Sequence, residues 1–223
     1  MKKKIVSIHQ PNFIPWLGFF DKMAKSDILV IYDNSTVKKN SIVNRNKIKT
    51  PQGATWLTVP IHASLTMPVN QWTIDNSSSW NEDHLKTLFF NYKRAKFFDK
   101  IYPEIEKIYS RKHKFLIDLN LELIKFIAKM LNIKTKIEIS SGLKAEGEKN
   151  EILIDMVKKA KGNIYLSGDG SRDYIDEKLF EKADIELRWQ NYKPPQYSQL
   201  WGEFIPHLSA LDFLFCDLER KIS

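Results

Sequence analysis

Two short apolar runs stand near the head of this chain, Ile5-Val6-Ser7-Ile8 and Ile28-Leu29-Val30-Ile31-Tyr32. Between them Phe13, Trp16, Leu17, Phe20 and Met23 recur at helical spacing. That pattern predicts a strand over 4–8, a helix over 13–25 packed by one face, and a second strand over 28–32. A strand, helix and strand within about thirty residues make a right-handed βαβ crossover, whose strands run parallel. A parallel sheet in turn commits the protein to an α/β fold with its ligands at the carboxyl ends of the strands.

The same alternation returns in the last third. Lys136-Ile137-Glu138-Ile139 and Asn163-Ile164-Tyr165-Leu166 read as strands, and so does Ile185-Glu186-Leu187-Arg188-Trp189. Helices are predicted over 149–161, 172–182 and 209–219. The chain changes character between them. Residues 34–82 are rich in Asn, Ser, Thr and Lys and punctuated by Pro51, Gly53, Pro60 and Pro68, which marks an insertion. Within it one strand is predicted over 55–61 and a weaker one over 71–75. Residues 83–131 read as helical in two or three pieces, with a helix starting at Pro103 and a strongly apolar one over 115–131. No Pro/Gly linker divides the chain, so a single domain over 1–223 is expected. The reading is an α/β, Rossmann-like, mostly parallel sheet with flanking helices, a polar insertion after the second strand and a helical middle segment.

Composition enters through what it excludes. A chain of 223 residues with a single cysteine, Cys216, cannot hold an internal disulfide. Met1-Lys2-Lys3-Lys4 resembles the start of a signal peptide, but the apolar run after it stops at His9-Gln10-Pro11. No apolar stretch approaches the ~18 residues of a membrane span, so a cytoplasmic protein without membrane insertion is expected. The formal net charge of +8 favours an anionic partner. Its lysines are spread along the whole chain, without an Arg-rich block or an aromatic-interleaved basic tract, so nucleic acid is not the expected partner.

Three strand ends share a theme: His9-Gln10-Pro11, Ser140-Ser141-Gly142 and Ser167-Gly168-Asp169-Gly170. In a parallel sheet they converge on one rim. A histidine there titrates near neutral pH, and Gln10 offers both donor and acceptor. Serines and glycines at helix starts expose backbone N–H groups, which suits a phosphate or carboxylate, although they are also ordinary caps and turn formers. Asp33 ends the second strand. Asn44-Arg45 follows in a basic loop with Lys38, Lys39, Lys47 and Lys49, where the planar guanidinium suits a carboxylate or phosphate. The lysines around it read as a solvated charge run.

Familiar motifs are missing. There is no G-x-x-x-x-G-K-[ST], no G-x-G-x-x-G after a strand, and no G-x-S-x-G elbow. His9, His62, His84, His113 and His207 are scattered and Cys216 stands alone, so no zinc site is expected, and carboxylates such as Asp33 are the one remaining route to a metal.

Taken in order, several segments resemble the WbqC-like proteins of bacteria. They are His9-Gln10-Pro11, Pro15-Trp16-Leu17-Gly18-Phe19-Phe20-Asp21-Lys22, Asp33, Asn44-Arg45 and Trp56-Leu57-Thr58-Val59-Pro60. Ser140-Ser141, Tyr165-Leu166-Ser167-Gly168 and Leu208-Ser209-Ala210-Leu211-Asp212-Phe213-Leu214-Phe215 extend the likeness over nearly the whole chain. It departs at Cys216-Asp217, where a glycine is expected. The resemblance implies a role in O-antigen or other surface-polysaccharide biosynthesis, as a transferase that attaches an acyl or aminoacyl group, such as glycyl, to an amino sugar.

Such a transfer needs a base for the amine proton and donors for the oxyanion. His9 is the candidate base, Gln10 or backbone groups near Ser140, Ser141, Ser167 and Gly168 the donors. Asp33 orients His9 or binds the sugar amine, Asn44 and Arg45 hold a phosphate, and Asp212 closes the site from the last helix. The partner is then a sugar nucleotide or a carrier-bound acyl donor; the sequence names no cofactor and sets no oligomeric state. Two other readings stand beside this one. One is an adenylate-forming or nucleotidyl-transferring enzyme with His9 on the transferred phosphate. The other is a non-catalytic sugar-nucleotide or carrier binding protein.

Overall fold

In the computed structural model, which describes residues 3–37, 41–64 and 66–220, the first apolar run is β1 (Ile5–His9). It leads to α1 (Leu17–Ala24) and β2 (Ile28–Ile31). The middle of the chain carries β3 (Arg45–Thr50), β4 (Gly53–Thr58), β5 (Ile61–His62) and β6 (Thr73–Ile74), then α2 (Trp80–Tyr92), α3 (Phe98–Tyr109) and α4 (Leu116–Met130). The last part runs through β7 (Lys136–Ile139), α5 (Ser140–Leu143), α6 (Lys149–Lys159), β8 (Ile164–Ser167), α7 (Glu177–Lys182), β9 (Glu186–Trp189) and α8 (Ala210–Asp217). Met1, Lys2, Lys38 and Lys39 lie outside the described residues.

These elements form two compact units. One comprises Met1–Gln10, Gly18–Asn34 and Ile133–Lys193; the other comprises Pro11–Leu17, Ser35–Asn132 and Pro194–Ser223. The first unit is built on a five-stranded sheet in the order β7-β2-β1-β8-β9. Every pairing in it is parallel: Val6 with Ile28, Ser7 with Leu166, Leu29 with Ile137 and Tyr165 with Leu187. The fold is therefore α/β with a parallel sheet flanked by helices. Counted along the chain the strands lie 3-2-1-4-5, so the strand order reverses between β1 and β8, the point at which such sheets open a crevice. One face of the sheet buries Val6, Ile8, Ile28, Val30 and Tyr165 with Met156 and Val157 of α6 and Phe180 of α7. The alternate residues of β1 and β2, Ser7, Leu29 and Ile31, are buried too, which is why these strands read as continuous apolar runs.

The second unit gathers α2, α3, α4 and α8 around Leu88, Tyr92, Ile105, Leu123, Phe213 and Phe215, with the Tyr92 and Phe215 rings stacked at 4.5 Å. Its strands form two antiparallel pairs, β3 with β4 and β5 with β6. The basic loop expected around Arg45 is thus partly a strand, paired from Arg45 with Thr58 to Thr50 with Gly53. The single strand expected over 55–61 divides, since β4 stops at Thr58 and residues 61–62 turn to pair with β6.

Several helices begin elsewhere than expected; α2 starts at Trp80, three residues inside the stretch read as insertion. α1 starts at Leu17 because Ile14 has a φ of +34° and precedes Pro15, whose ring disfavours helical backbone in the residue before it. α3 starts at Phe98 and carries Pro103 in its interior. Residues 172–176 are not α-helical: a 3-10 turn over Asp169–Ser171 precedes them, and α7 begins only where the Asp176 side chain accepts from Lys178 N at 3.0 Å.

Candidate functional site

Strand polarity in the first unit carries the ends of all five strands to one rim. Residue 9 ends β1, Asp33 follows β2 closely, Ser140 follows β7, Ser167 ends β8, and Gln190 follows β9. The rim holds three polar clusters.

The first is at β1. The ring of His9 lies 4.7 Å from that of Phe19, and its Nδ1 is 3.2 Å from the Gln10 backbone carbonyl. A carbonyl only accepts, so that nitrogen carries the proton and Nε2 keeps its lone pair in the neutral ring. Burial first and the Lys22 charge second hold His9 well below the usual imidazole range, against the Gln10 carbonyl, which favours the charged ring. His9 nonetheless keeps part of its surface open, as does Gln10. The result is a neutral imidazole with Nε2 as acceptor.

Lys22 is the neighbour that sequence reasoning missed. Every side chain of α1 before the last is buried, and Lys22 is only 5% exposed. Its Nζ donates to the Ile8 carbonyl at 3.1 Å, and burial alone pulls its ammonium down to about 8. Among the described residues no carboxylate lies within salt-bridge distance of it. The adjacent Asp21 is engaged elsewhere: its Oδ2 accepts from Lys25 Nζ at 2.9 Å and from Gln190 Nε2 at 2.7 Å. The available signal was an Asp-Lys pair in a helix whose other residues, Leu17, Gly18, Phe19, Phe20, Met23 and Ala24, are all apolar or glycine.

The second cluster joins β2 to the turn after β7. The Ser140 hydroxyl donates to Asp33 Oδ1 at 2.7 Å, the Ser141 N–H to the same oxygen at 2.8 Å, and the Ser141 hydroxyl to Oδ2 at 2.7 Å. The Asp33 N–H in turn donates to Ser140 Oγ at 3.1 Å. Asp33 and Ser140 are buried, and Ser141 is exposed. The structure thus brings these three predicted residues together as one bonded group.

The third cluster follows β8. Ser167 and Ser171 share a hydroxyl hydrogen bond of 2.6 Å, and the Ser171 N–H donates to the Gly168 carbonyl at 3.1 Å. Gly168 has φ −75°, so the backbone does not require glycine there. What its bare Cα leaves is space: a Cβ would meet only Lys22 Nζ at 3.7 Å and Gln190 Oε1 at 3.9 Å. Gln190 spends its amide hydrogens on the Gly18 carbonyl and Asp21, both at 2.7 Å, which turns Oε1 toward that space.

Asn44, Arg45 and Asp212 belong to the second unit. The Asn44 amide donates to the Val59 carbonyl at 3.1 Å, closing the ends of β3 and β4. The Arg45 guanidinium lies 4.4 Å above the ring of Trp56, which is 43% exposed, and Lys47 Nζ lies 4.9 Å from the same ring. Asp212 is fully enclosed, its oxygens accepting the hydroxyls of Tyr92 at 2.7 Å and Tyr197 at 2.8 Å. Burial pushes its carboxyl up, against the pull of those two hydroxyls, Gln199 and Lys49. Among the described residues no group of three or more His, Cys, Asp or Glu side chains is arranged to hold a metal ion. No helix among them is long and apolar enough to cross a membrane.

A family model, the WbqC-like protein family, matches residues 10–223. An uncharacterized protein of Mycobacterium tuberculosis, Rv1507c, is 37% identical over 219 residues, covering 96% of this chain and 94% of the relative. No solved structure matches.

Proposed function

The chain belongs to the WbqC-like protein family, and from that premise we propose that it is a transferase moving an acyl or aminoacyl group onto the amine of an amino sugar, in the synthesis of O-antigen or another surface polysaccharide. The observation that supports this reading best is the state of His9. With Nδ1 turned to the Gln10 carbonyl and the ring held neutral, Nε2 is available to take a proton. As the amine nitrogen bonds to the donor's carbonyl carbon, His9 Nε2 removes the amine proton. The leaving group then departs with the electrons of its bond to that carbon. Gln10 and a backbone N–H after β8, near Ser167 and Gly168, stabilise the oxyanion. Asp33, with Ser140 and Ser141, receives the sugar amine. Within the second unit, Asn44 and Arg45, with Trp56 behind the guanidinium, form a group suited to an anion, and Asp212 supports the final helix.

One observation favours a second reading, an adenylate-forming or nucleotidyl-transferring enzyme. The strand order reverses at His9 and Gly168, where doubly wound sheets take nucleotides. Against it, a neutral His9 bonded through Nδ1–H has no second N–H to give a phosphate. Release of pyrophosphate from a nucleoside triphosphate would establish that reading. The test of the first is transfer from coenzyme A-linked or carrier-linked acyl and aminoacyl donors to nucleotide-linked amino sugars. His9→Ala should cost ~10²–10⁴ in rate, the usual contribution of a general base. Unchanged turnover would remove His9 from the mechanism. Specific binding with no turnover of any donor would favour the non-catalytic role.

A further inference from the structure

A lysine that is 5% exposed, on a helix where every residue but Lys22 and its neighbour Asp21 is apolar or glycine, is a costly choice. Methionine has similar length, fills irregular space well and carries no charge to desolvate. Buried charges persist where a partner neutralises them, and here the protein supplies none among the described residues. The counter-charge is missing at a telling position. Lys22 Nζ bonds the Ile8 carbonyl on β1 and lies 3.7 Å from where a Gly168 side chain would begin after β8, so it sits at the reversal of strand order. The glycine is not there for its φ; its missing side chain keeps the space over the ammonium clear.

We propose that Lys22, Gly168 and Gln190 form a phosphate-binding site at the β1/β8 reversal, with the ammonium anchoring a phosphate oxygen in the space over Gly168. Gln190 Oε1, an acceptor in the same space, takes a hydroxyl or amine hydrogen of the group attached to that phosphate. Asp21 does not repel the ligand strongly, because Lys25 and the Gln190 amide already bond its carboxylate. The site deepens the transferase reading and rests on it for its substrate class, because both a sugar nucleotide and a phosphopantetheine-linked donor carry phosphates. Binding, however, requires no turnover.

The experiment is equilibrium titration of the full chain with uridine diphosphate, with coenzyme A and with inorganic pyrophosphate. Wild type should bind one or both organic ligands; which one identifies the source of the phosphate. Lys22→Met should weaken that binding about ten- to hundredfold, the weight of one charge-assisted hydrogen bond, while Lys22→Arg retains part of it. Gly168→Val keeps the cation but fills the space, and should weaken binding comparably. Circular dichroism confirms that each variant is folded, and the valine variant decides the matter should Lys22→Met fail to fold. Binding undiminished by Gly168→Val or by folded Lys22→Met, or no binding of any phosphate compound to the wild type, overturns the proposal. Phosphate binding that obeys it in a protein without transferase activity leaves the site standing and removes the transferase reading alone.

Discussion

Replacing Lys22 with methionine should make the protein more stable while disabling the site. The ammonium is drawn from the ordinary lysine value of 10.5 to about 8, a cost of burial set against an unfolded chain in which it is fully hydrated. At 1.36 kcal/mol per unit the shift corresponds to about 3 kcal/mol at pH 7. The lost hydrogen bond to the Ile8 carbonyl returns about 1 kcal/mol of that, so the variant should gain about 2 kcal/mol. The gain must depend on pH. Between 8 and 10.5 the unfolded wild type binds more protons than the folded one, so wild-type stability rises relative to the variant through that window. By pH 10 the burial cost falls to about 1 kcal/mol, and the variant's advantage should vanish or reverse. Urea unfolding of both proteins at pH 7 and pH 10, with hydrogen exchange of the β1 amides as a local report, measures the difference directly. A variant less stable than wild type at pH 7, by an amount that does not change at pH 10, would refute the reasoning.

Other outcomes follow from the same geometry. Because burial and Lys22 keep His9 neutral, the acid limb of the transfer rate should fall well below pH 6.5, and in Lys22→Met it should move upward as the repulsion is removed; a wild-type inflection at 6.5 or above contradicts this. Gly162→Ala drives a Cβ to 2.3 Å from Val6 Cγ2, so thermal melts should show a loss of about 1–3 kcal/mol, and an unchanged melting temperature would mean β1 and the turn before β8 are looser than described. Tyr92→Phe deprives Asp212 of a donor and the Lys49 N–H of its acceptor, which should cost about 2–4 kcal/mol in denaturant unfolding.

The parallel sheet was legible because its inner strands are buried on both faces. Val6, Ile8, Leu29 and Val30 stand in runs that no solvated segment would carry. β3 was not legible. Arg45, Lys47 and Lys49 alternate along it like a charged loop, yet Lys49 is buried, with its Nζ on Gln199 Oε1 at 2.9 Å and on the Glu203 carbonyl. Residues 150 positions away in sequence decide that burial. Lys22 was missed for the same reason. A lysine on a helix reads as solvated, and only the tertiary fold reveals that no side of α1 faces water there. The strand-end residues were found because polarity alone fixes the rim. The amide and the cation facing Gly168 come from α1 and from beyond β9, and no local spacing announces them.

The measurement closest to the centre of this account is nitrogen-15 NMR of the His9 ring across pH. At pH 7 the ring should be a single neutral tautomer, protonated on Nδ1 and bare on Nε2, that resists protonation until well below pH 6.5. A ring protonated on Nε2, or one already charged near neutral pH, would deny the base on which the proposed transfer depends.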